Sequence, residues 1–487
     1  MKNLKDGEKL NPKLLWKNFD SILGIPHPSK FETELAEFIY QFGLNLGLET
    51  IKDNIGNIII RKPASSPEFA DKKMVTIQSH IDMVPQKAEG LNHVFEKDPI
   101  KAFVDGNYVK ADGTTLGSDN GIGVAAMMAV LESNDIDHGP IETFFTVDEE
   151  TGMTGVEYLK NDTLNGSILV NLDSEEEGEI CIGCAGGVDT EIKFDYEQEG
   201  LIDDTVAYTL TVEGMKGGHS GCNINEGRGN AVKLMSRYLW NVRDQFEFDI
   251  SEINGGTLRN VIPSKCEVII IIPKNEKDKL FESIKSFLAV VKEEYRFAEP
   301  DLNLSATETE LPGSCIDRLL VDDIVNAIYA CPNGVLRMDD NIAGLVETSS
   351  NLGVITTKQN VITILTLQRS SVNSCRDAAA NSVQSIFELA GADEITQSGD
   401  YPGWIPDVSS PVLVTVKDTY KEIFGKEPIV MAIHAGLECA LIGEKYPEMD
   451  MISFGPTILD AHSINERVEI ESNEKFWDLL LGVLKNI

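Results

Sequence analysis

Residues 74–84, MVTIQSHIDMV, run apolar up to a histidine and place an aspartate two positions beyond it. Further short runs follow at intervals: GIGVAAMMAVLE at 121–132, TFFTV at 143–147, GVEYLK at 155–160 and SILVNLD at 167–173. Buried strands alternating with helical segments predict an α/β fold around a sheet covered on both faces. Residues 120–132 are apolar nearly all round, which predicts a helix sunk in the core. Three strand runs end in polar clusters at His80, Asp148 and Asp173. In open α/β folds, sites gather where strands end.

Past Gly187 the rhythm changes. Residues 205–213 (TVAYTLTVE) alternate as a strand, 229–243 read as a helix, 257–272 as two strands around Pro263, and 276–295 as a second helix. A similar order recurs, with a strand at 301–308, a helix at 316–330, strands within 343–368 and a helix at 371–390. This predicts two related α+β units back to back. Beyond Pro402 come a helix at 412–424, short strands at 429–433 and 450–454, and an amphipathic helix at 471–486.

The 487 residues carry 42 Lys and Arg against 79 Asp and Glu, a net charge of −37 that would repel a nucleic acid. Hydrophobic residues at 42% and charged residues at 25% are ordinary for a packed protein. The longest apolar stretch, 121–131, is about half of the ~18 residues that span a bilayer. The N-terminus mixes charges and lacks the apolar region of a secretion signal. Eight dispersed cysteines fit reduced thiols, so a cytoplasmic location is expected. Cys181 and Cys184 form a lone CxxC in CIGCAGG, which predicts small buried residues in a Gly-rich turn over a zinc or redox pair.

With so many acids, the seven histidines are the sharper probe of chemistry. His80 ends its strand, and period-two alternation puts Asp82 on the same face, where a carboxylate can orient the imidazole for metal binding. A core-edge histidine paired with an acid would look the same. Asp119, in TTLGSDNGIG, precedes the buried helix either as an ion ligand or as its N-cap. Glu149 and Glu150 follow a buried strand and point to different sides, so one can bind metal while its neighbour faces substrate; a solvated acidic turn is the plainer alternative. SILVNLDSEEEGE brings Asp173 to a strand end, with Glu175 to Glu177 read as solvated, and GPTILDAHSINERVEI carries His462 in a polar loop. A paired ion site accounts for the set. One ion takes His80 and Asp173, the other Glu150 and His462, and Asp119 bridges them. Mixed His and carboxylate ligation suits two Zn²⁺ per chain, with Mn²⁺ or Co²⁺ as substitutes. Two ions ~3.5–4 Å apart can hold a shared hydroxide and polarise a carbonyl, which is hydrolytic chemistry that leaves Glu149 as general base.

The motifs SHIDM, GSDNGIG, DEETG, NLDS, GGHSG and DAHS, in this order, resemble the M20 clan of metallopeptidases. The match is closest to its peptidase D branch of cytosol non-specific and aminoacyl-histidine (Xaa-His) dipeptidases, and it covers nearly the whole chain. The resemblance implies a zinc-peptidase-like α/β catalytic domain with a mixed central sheet, residues 1–187 and 401–487, interrupted by an α+β lid at 188–400. It implies the same ligand sets, with Asp82 orienting His80 and Glu149 as the base. It further implies that His219 of GGHSG stabilises the oxyanion. Asn260 of LRNVIPS and Arg369 of LQRSS would hold the substrate carboxylate, which Arg suits through its planar fork. Gly436 of HAGLE is implied as a backbone contact, while His434 is either pocket lining or a structural hydrogen-bonding residue. The lid is near twice the length found in smaller clan members, where one unit dimerises, and this leaves open a homodimer through the lid. The expected activity is hydrolysis of unblocked dipeptides, Xaa-His types such as β-alanyl-histidine included. An N-acyl amino acid deacylase using the same site is the nearest rival, and a non-catalytic metal-binding protein the other.

Overall fold

The computed structural model describes Leu4 and residues 10–487. The chain forms two compact units, one of Met1–Gly183, Pro406–Ala432 and Leu437–Ile487, the other of Cys184–Ile405 and Ile433–Gly436. The divisions fall a few residues from 187/188 and 400/401, and the short return at 433–436 has no counterpart in the sequence pattern. Among the described residues, no helix is long and apolar enough to cross a membrane.

The first unit is built on a mixed eight-stranded sheet in the order Glu49–Lys52, Ile58–Lys62, Ile141–Thr146, Val75–His80, Ile168–Asn171, Asp450–Ser453, Glu179–Cys184, Ile429–Ile433. The four middle strands, from Ile141–Thr146 to Asp450–Ser453, are parallel, so their C-terminal ends open on one side of the sheet. The strands at 75–80, 141–146 and 168–171 are buried at every position, as parallel strands covered on both faces must be. The helix Ser118–Glu132 packs into this core with residues 120–131 all buried. Gly123 permits its close approach, since a Cβ there would sit 2.3 Å from Ser79 Oγ. Cys181 and Cys184 are buried within the strand Glu179–Cys184, not in a turn.

The second unit is built on a nine-stranded sheet holding two βαββαβ motifs, with Gly334–Met338 as the ninth strand beside Val346–Lys358, and has a two-stranded pairing of Gln198–Glu199 with Cys315–Ile316. The inner motif runs Thr205–Glu213, helix Ala231–Val242, Asp249–Gly255, Cys266–Pro273, helix Lys277–Glu294, Asn303–Thr309. The outer motif runs Gly186–Asp195, helix Arg318–Ala330, Val346–Lys358, Val361–Ser370, helix Asn373–Leu389, Glu394–Tyr401. Numbering strands within each motif, both have the spatial order 4-1-3-2, and they join edge to edge where Gly255 pairs with Ile355. The two units predicted from the order of elements are therefore nested, not consecutive. The inner one is inserted after the first strand of the outer, because Gly186–Asp195 pairs along its whole length with Val361–Ser370. They share one core, to which Tyr208, Val268 and Phe287 contribute from the inner motif and Ile192, Ile364 and Phe387 from the outer. The expected strand after Gly256 is instead a loop, with the preceding strand at Asp249–Gly255.

Candidate active site

His80, Glu150, Asp173 and His462 lie where the parallel strands of the first unit end or in the segments that follow, and Asp119 lies at the start of the helix Ser118–Glu132. His80 closes Val75–His80, and its Nε2 lies 3.1 Å from Asp119 Oδ1 and 3.3 Å from Asp173 Oδ1. His462 Nε2 lies 3.0 Å from Asp119 Oδ2 and 3.0 Å from Glu150 Oε1. Asp119 thus gives one oxygen to each side. Its backbone leaves helical geometry, with φ −85° and ψ 106°, and its carboxylate reaches the two imidazoles instead of capping the helix. Asp173 also accepts a hydrogen bond from Asn120 Nδ2.

Asp82 lies just past the end of the His80 strand. His80 Nδ1 lies 3.1 Å from the Asp82 backbone carbonyl and 3.4 Å from its carboxylate, which accepts from the Glu149 and Glu150 amides at 3.0 and 3.2 Å and from Ser29 Oγ at 2.8 Å. One buried residue therefore fixes both an imidazole and the acidic turn. That turn is no solvated loop: Asp148 adopts φ +56° and its carboxylate accepts from Thr151 and Thr154. Glu149 makes no side-chain hydrogen bond among the described residues. Burial, reinforced by Asp173, Glu438 and Glu150, holds its carboxyl well above the usual range. Hydrogen bonds to Asp119 and Glu150 push the His462 imidazole up to about 11. For His80, burial pulls down, but the Asp173 charge and the bonds to Asp119 and Asp173 outweigh it.

Two residues that sequence reasoning missed hold this arrangement from behind. Glu466 accepts from the Leu116, Gly117 and Ser118 amides at 2.7, 3.1 and 2.7 Å and from Ser118 Oγ at 2.6 Å, anchoring the loop that carries Asp119. Its place four residues after His462 was the available signal. Glu438 is completely buried, and burial raises its carboxyl to about 8. Glu177, expected to be solvated, accepts from Tyr420 OH at 2.9 Å, whereas Glu175 and Glu176 are exposed.

The donor set fits divalent cations. His80, Asp119 and Asp173 form one group of convergent donor atoms and Asp119, Glu150 and His462 a second, with Asp119 in both. The contacts of 3.0–3.3 Å within them match the roughly 3.3 Å separation of ligands on a tetrahedral ion with bonds of about 2.0–2.1 Å. Apart from the His462 imidazole, buried Glu150 Oε1 has no polar partner among the described residues, which suits a ligand atom.

The remaining predicted residues belong to the second unit. His219 Nδ1 accepts from the Gly221 and Cys222 amides, both at 3.2 Å. The proton is thereby assigned to Nε2, which makes no hydrogen bond among the described residues. Burial, then Arg369, lowers its pKa, so the ring is a neutral N–H donor. Asn260 sits in the 256–265 loop, which Asn351 Nδ2 pins through the Arg259 and Val261 carbonyls at 2.8 and 2.9 Å. Arg369, 6% exposed, donates from Nη1 to Tyr401 OH at 2.8 Å, and its buried Nε has no hydrogen-bond partner among the described residues. No carboxylate is ion-paired to it among the described residues, an unusual condition for a buried guanidinium. His434 Nε2 bonds Ser349 Oγ at 2.7 Å while its buried Nδ1 makes no well-aligned hydrogen bond among the described residues, so both roles left open for it keep an observation. Burial and Arg369 take its pKa down to about 3. The backbone around Gly436 is held by the Ala185 amide, which donates to the Ile433 and Ala435 carbonyls at 3.1 and 3.0 Å.

A sheet with histidine and carboxylates at parallel strand ends, one aspartate common to two ligand groups and a free glutamate beside them defines a metal-dependent hydrolase. Residues 76–486 match the model of peptidase family M20/M25/M40, and the chain belongs to that family of metallopeptidases. It is 42% identical over 479 residues to the cytosol non-specific dipeptidase of Escherichia coli K12, covering 98% of each chain. The structure superposes on the aminoacylhistidine dipeptidase of Vibrio alginolyticus with a TM-score of 0.92 at 46% identity, covering 98% of this chain and 97% of that one. Aminopeptidase PepT of Bacillus cereus shares the fold at TM-score 0.56 and 16% identity, over 98% and 99% of the two chains.

Proposed function

We propose that the protein is a dinuclear zinc dipeptidase acting on unblocked dipeptides, Xaa-His types included. The division of Asp119 between the His80 and His462 groups carries this reading; Glu149, within ligand distance of His80 and Glu150, is assigned the role of base because its side chain makes no hydrogen bond among the described residues. His80, Asp119 and Asp173 would hold one ion, and Asp119, Glu150 and His462 the other. When bound, such cations supply Lewis-acid chemistry, polarising the peptide carbonyl and making water acidic enough to attack at neutral pH.

The protein's own groups do the rest. Glu149 takes the proton from the attacking water and returns it to the leaving amine, a shuttle suited to a carboxyl whose affinity for protons is raised. Asp82 keeps His80 and the Glu149 turn in register. His219 Nε2–H is a neutral donor for the developing oxyanion. Arg369, with Asn260 and the Gly436 backbone, receives the substrate's terminal carboxylate, and Tyr401 OH orients the guanidinium. Elemental analysis of the purified protein beside hydrolysis of a panel of free, N-acetylated and C-amidated dipeptides tests this. Two ions per chain with cleavage of free dipeptides alone is the expected result. Preference for the N-acetylated substrates would assign a deacylase instead.

A further inference from the structure

A row of polar side chains crosses the core of the first unit directly beneath the strand ends. Gln78, Asn171 and Ser453 sit on three adjacent parallel strands, with Gln78 paired to Asn171 and Asn171 to Ser453 in the sheet register, and all three are completely buried. Asn171 Nδ2 donates to Gln78 Oε1 at 2.6 Å, and Ser453 Oγ donates to Asn171 Oδ1 at 2.5 Å. Asn171 Oδ1 also accepts from the backbone amide of Asp173 at 3.3 Å. At the other end Gln78 Nε2 donates to Glu438 Oε2 at 2.5 Å, and Thr146 Oγ1 donates to the same oxygen at 2.7 Å. Apolar side chains of similar shape would fill this row without the cost of burying polar groups.

The row has a direction, and groups at both ends set it. A carboxamide can be turned over, exchanging its donor and acceptor ends. If Gln78 turned over, its oxygen would face Glu438 and its NH₂ would face the NH₂ of Asn171. Thr146, to which Gln78 Nε2 also donates at 3.1 Å, cannot forbid this, because a hydroxyl donates or accepts as required. At one end the Asp173 amide, which can only donate, requires the Asn171 oxygen. At the other, Glu438 Oε2, held at the start of the helix Glu438–Lys445, accepts from both Thr146 and Gln78. Glu438 and the Asp173 amide therefore hold the row in the same direction.

Building on the metal reading above, we propose that Glu438 is a positioning residue for the metal centre, acting through Gln78 and Asn171 on the backbone that carries Asp173. Its influence also reaches His80, two residues beyond Gln78 on the same strand face, and the acidic turn three residues beyond Thr146. The role is that of an outer partner orienting ligands, one step further from the ion than Asp82.

The test compares Glu438→Gln with Glu438→Leu in protein loaded with Co²⁺. The amide carbonyl in Glu438→Gln can accept both existing hydrogen bonds; Glu438→Leu can accept neither. Glu438→Leu should release Co²⁺ to a chelator roughly 10- to 100-fold faster, the scale of lost outer-partner support. Its visible absorption should shift and its kcat fall at unchanged KM. Glu438→Gln should stay near wild type in release, spectrum and kcat. Wild-type release and spectrum in Glu438→Leu, or equal damage in Glu438→Gln, would overturn the proposal. If Glu438→Leu does not fold, the near-isosteric Gln78→Met carries the same expectation and the same refutation. A wild-type protein that takes up no cation removes the metal reading and this one with it. A wild type that binds cations but cleaves no dipeptide removes only the substrate assignment.

Discussion

The carboxylate of Asp82 accepts the backbone amide of Glu149 at 3.0 Å, joining the end of one parallel strand to the turn that follows its neighbour. The same group lies against His80 Nδ1. Asp82→Ala should therefore loosen a ligand and the base together, weakening metal affinity by roughly 10- to 100-fold and lowering kcat. Chelator competition measures the first effect. Undiminished affinity would confine Asp82 to the turn.

The Glu149 side chain makes no hydrogen bond among the described residues, so its removal should leave the ligand sets intact. Glu149→Ala should lower kcat by ~10² to 10⁴ with metal content unchanged. Loss of one ion equivalent would make Glu149 a ligand.

Asp119 should behave in the opposite way. With one oxygen on each side of the site, Asp119→Ala removes a donor from both ligand groups and should deplete bound metal as well as activity. Full metal occupancy in that variant refutes the bridge.

Arg369 is buried with no carboxylate ion-paired to it among the described residues. Arg369→Ala should reduce kcat/KM for a dipeptide while changing little for its C-terminal amide, which offers no anion to lose. Equal losses on both substrates would mean that the guanidinium supports the fold through Tyr401.

Glu466 accepts four backbone amides, those of residues 116–119, and the Ser118 hydroxyl. Glu466→Ala leaves those donors unpaired at ~1–3 kcal/mol each. The urea midpoint should fall, and metal affinity with it as the Asp119 loop relaxes. A midpoint equal to wild type would show that water replaces the carboxylate without loss.

The residues proposed as ligands stand out in the sequence because each combines a rare or polar residue with a strong local cue: a histidine closing an apolar strand, acids after another, an aspartate between glycines. Local cues also placed the helix at 118–132 and the alternating strand at 205–213. What escaped depends on distant contacts. Glu438 meets Gln78 across 360 residues of chain, and nothing in HAGLE marks its glutamate as buried. Glu466 was passed over as one acid among 79. The nesting of the two motifs was hidden because the pairing of Gly186–Asp195 with Val361–Ser370 leaves no trace in either segment.

That nesting sets an order of events during synthesis. The inner motif closes with Asn303–Thr309 and has all its strands once the ribosome has passed that point. The first strand of the outer motif, made earlier, must wait for 361–370 before its principal pairing exists. Contacts of long sequence separation form late, and an unpaired strand edge invites association while it waits. The inner motif can thus be a finished edge, offered by Asp249–Gly255, onto which Val346–Lys358 docks as it emerges. Until 361–370 emerges, segment 186–195 stays unpaired in the nascent chain, and its alternating lysine, aspartate and glutamate side chains keep it soluble.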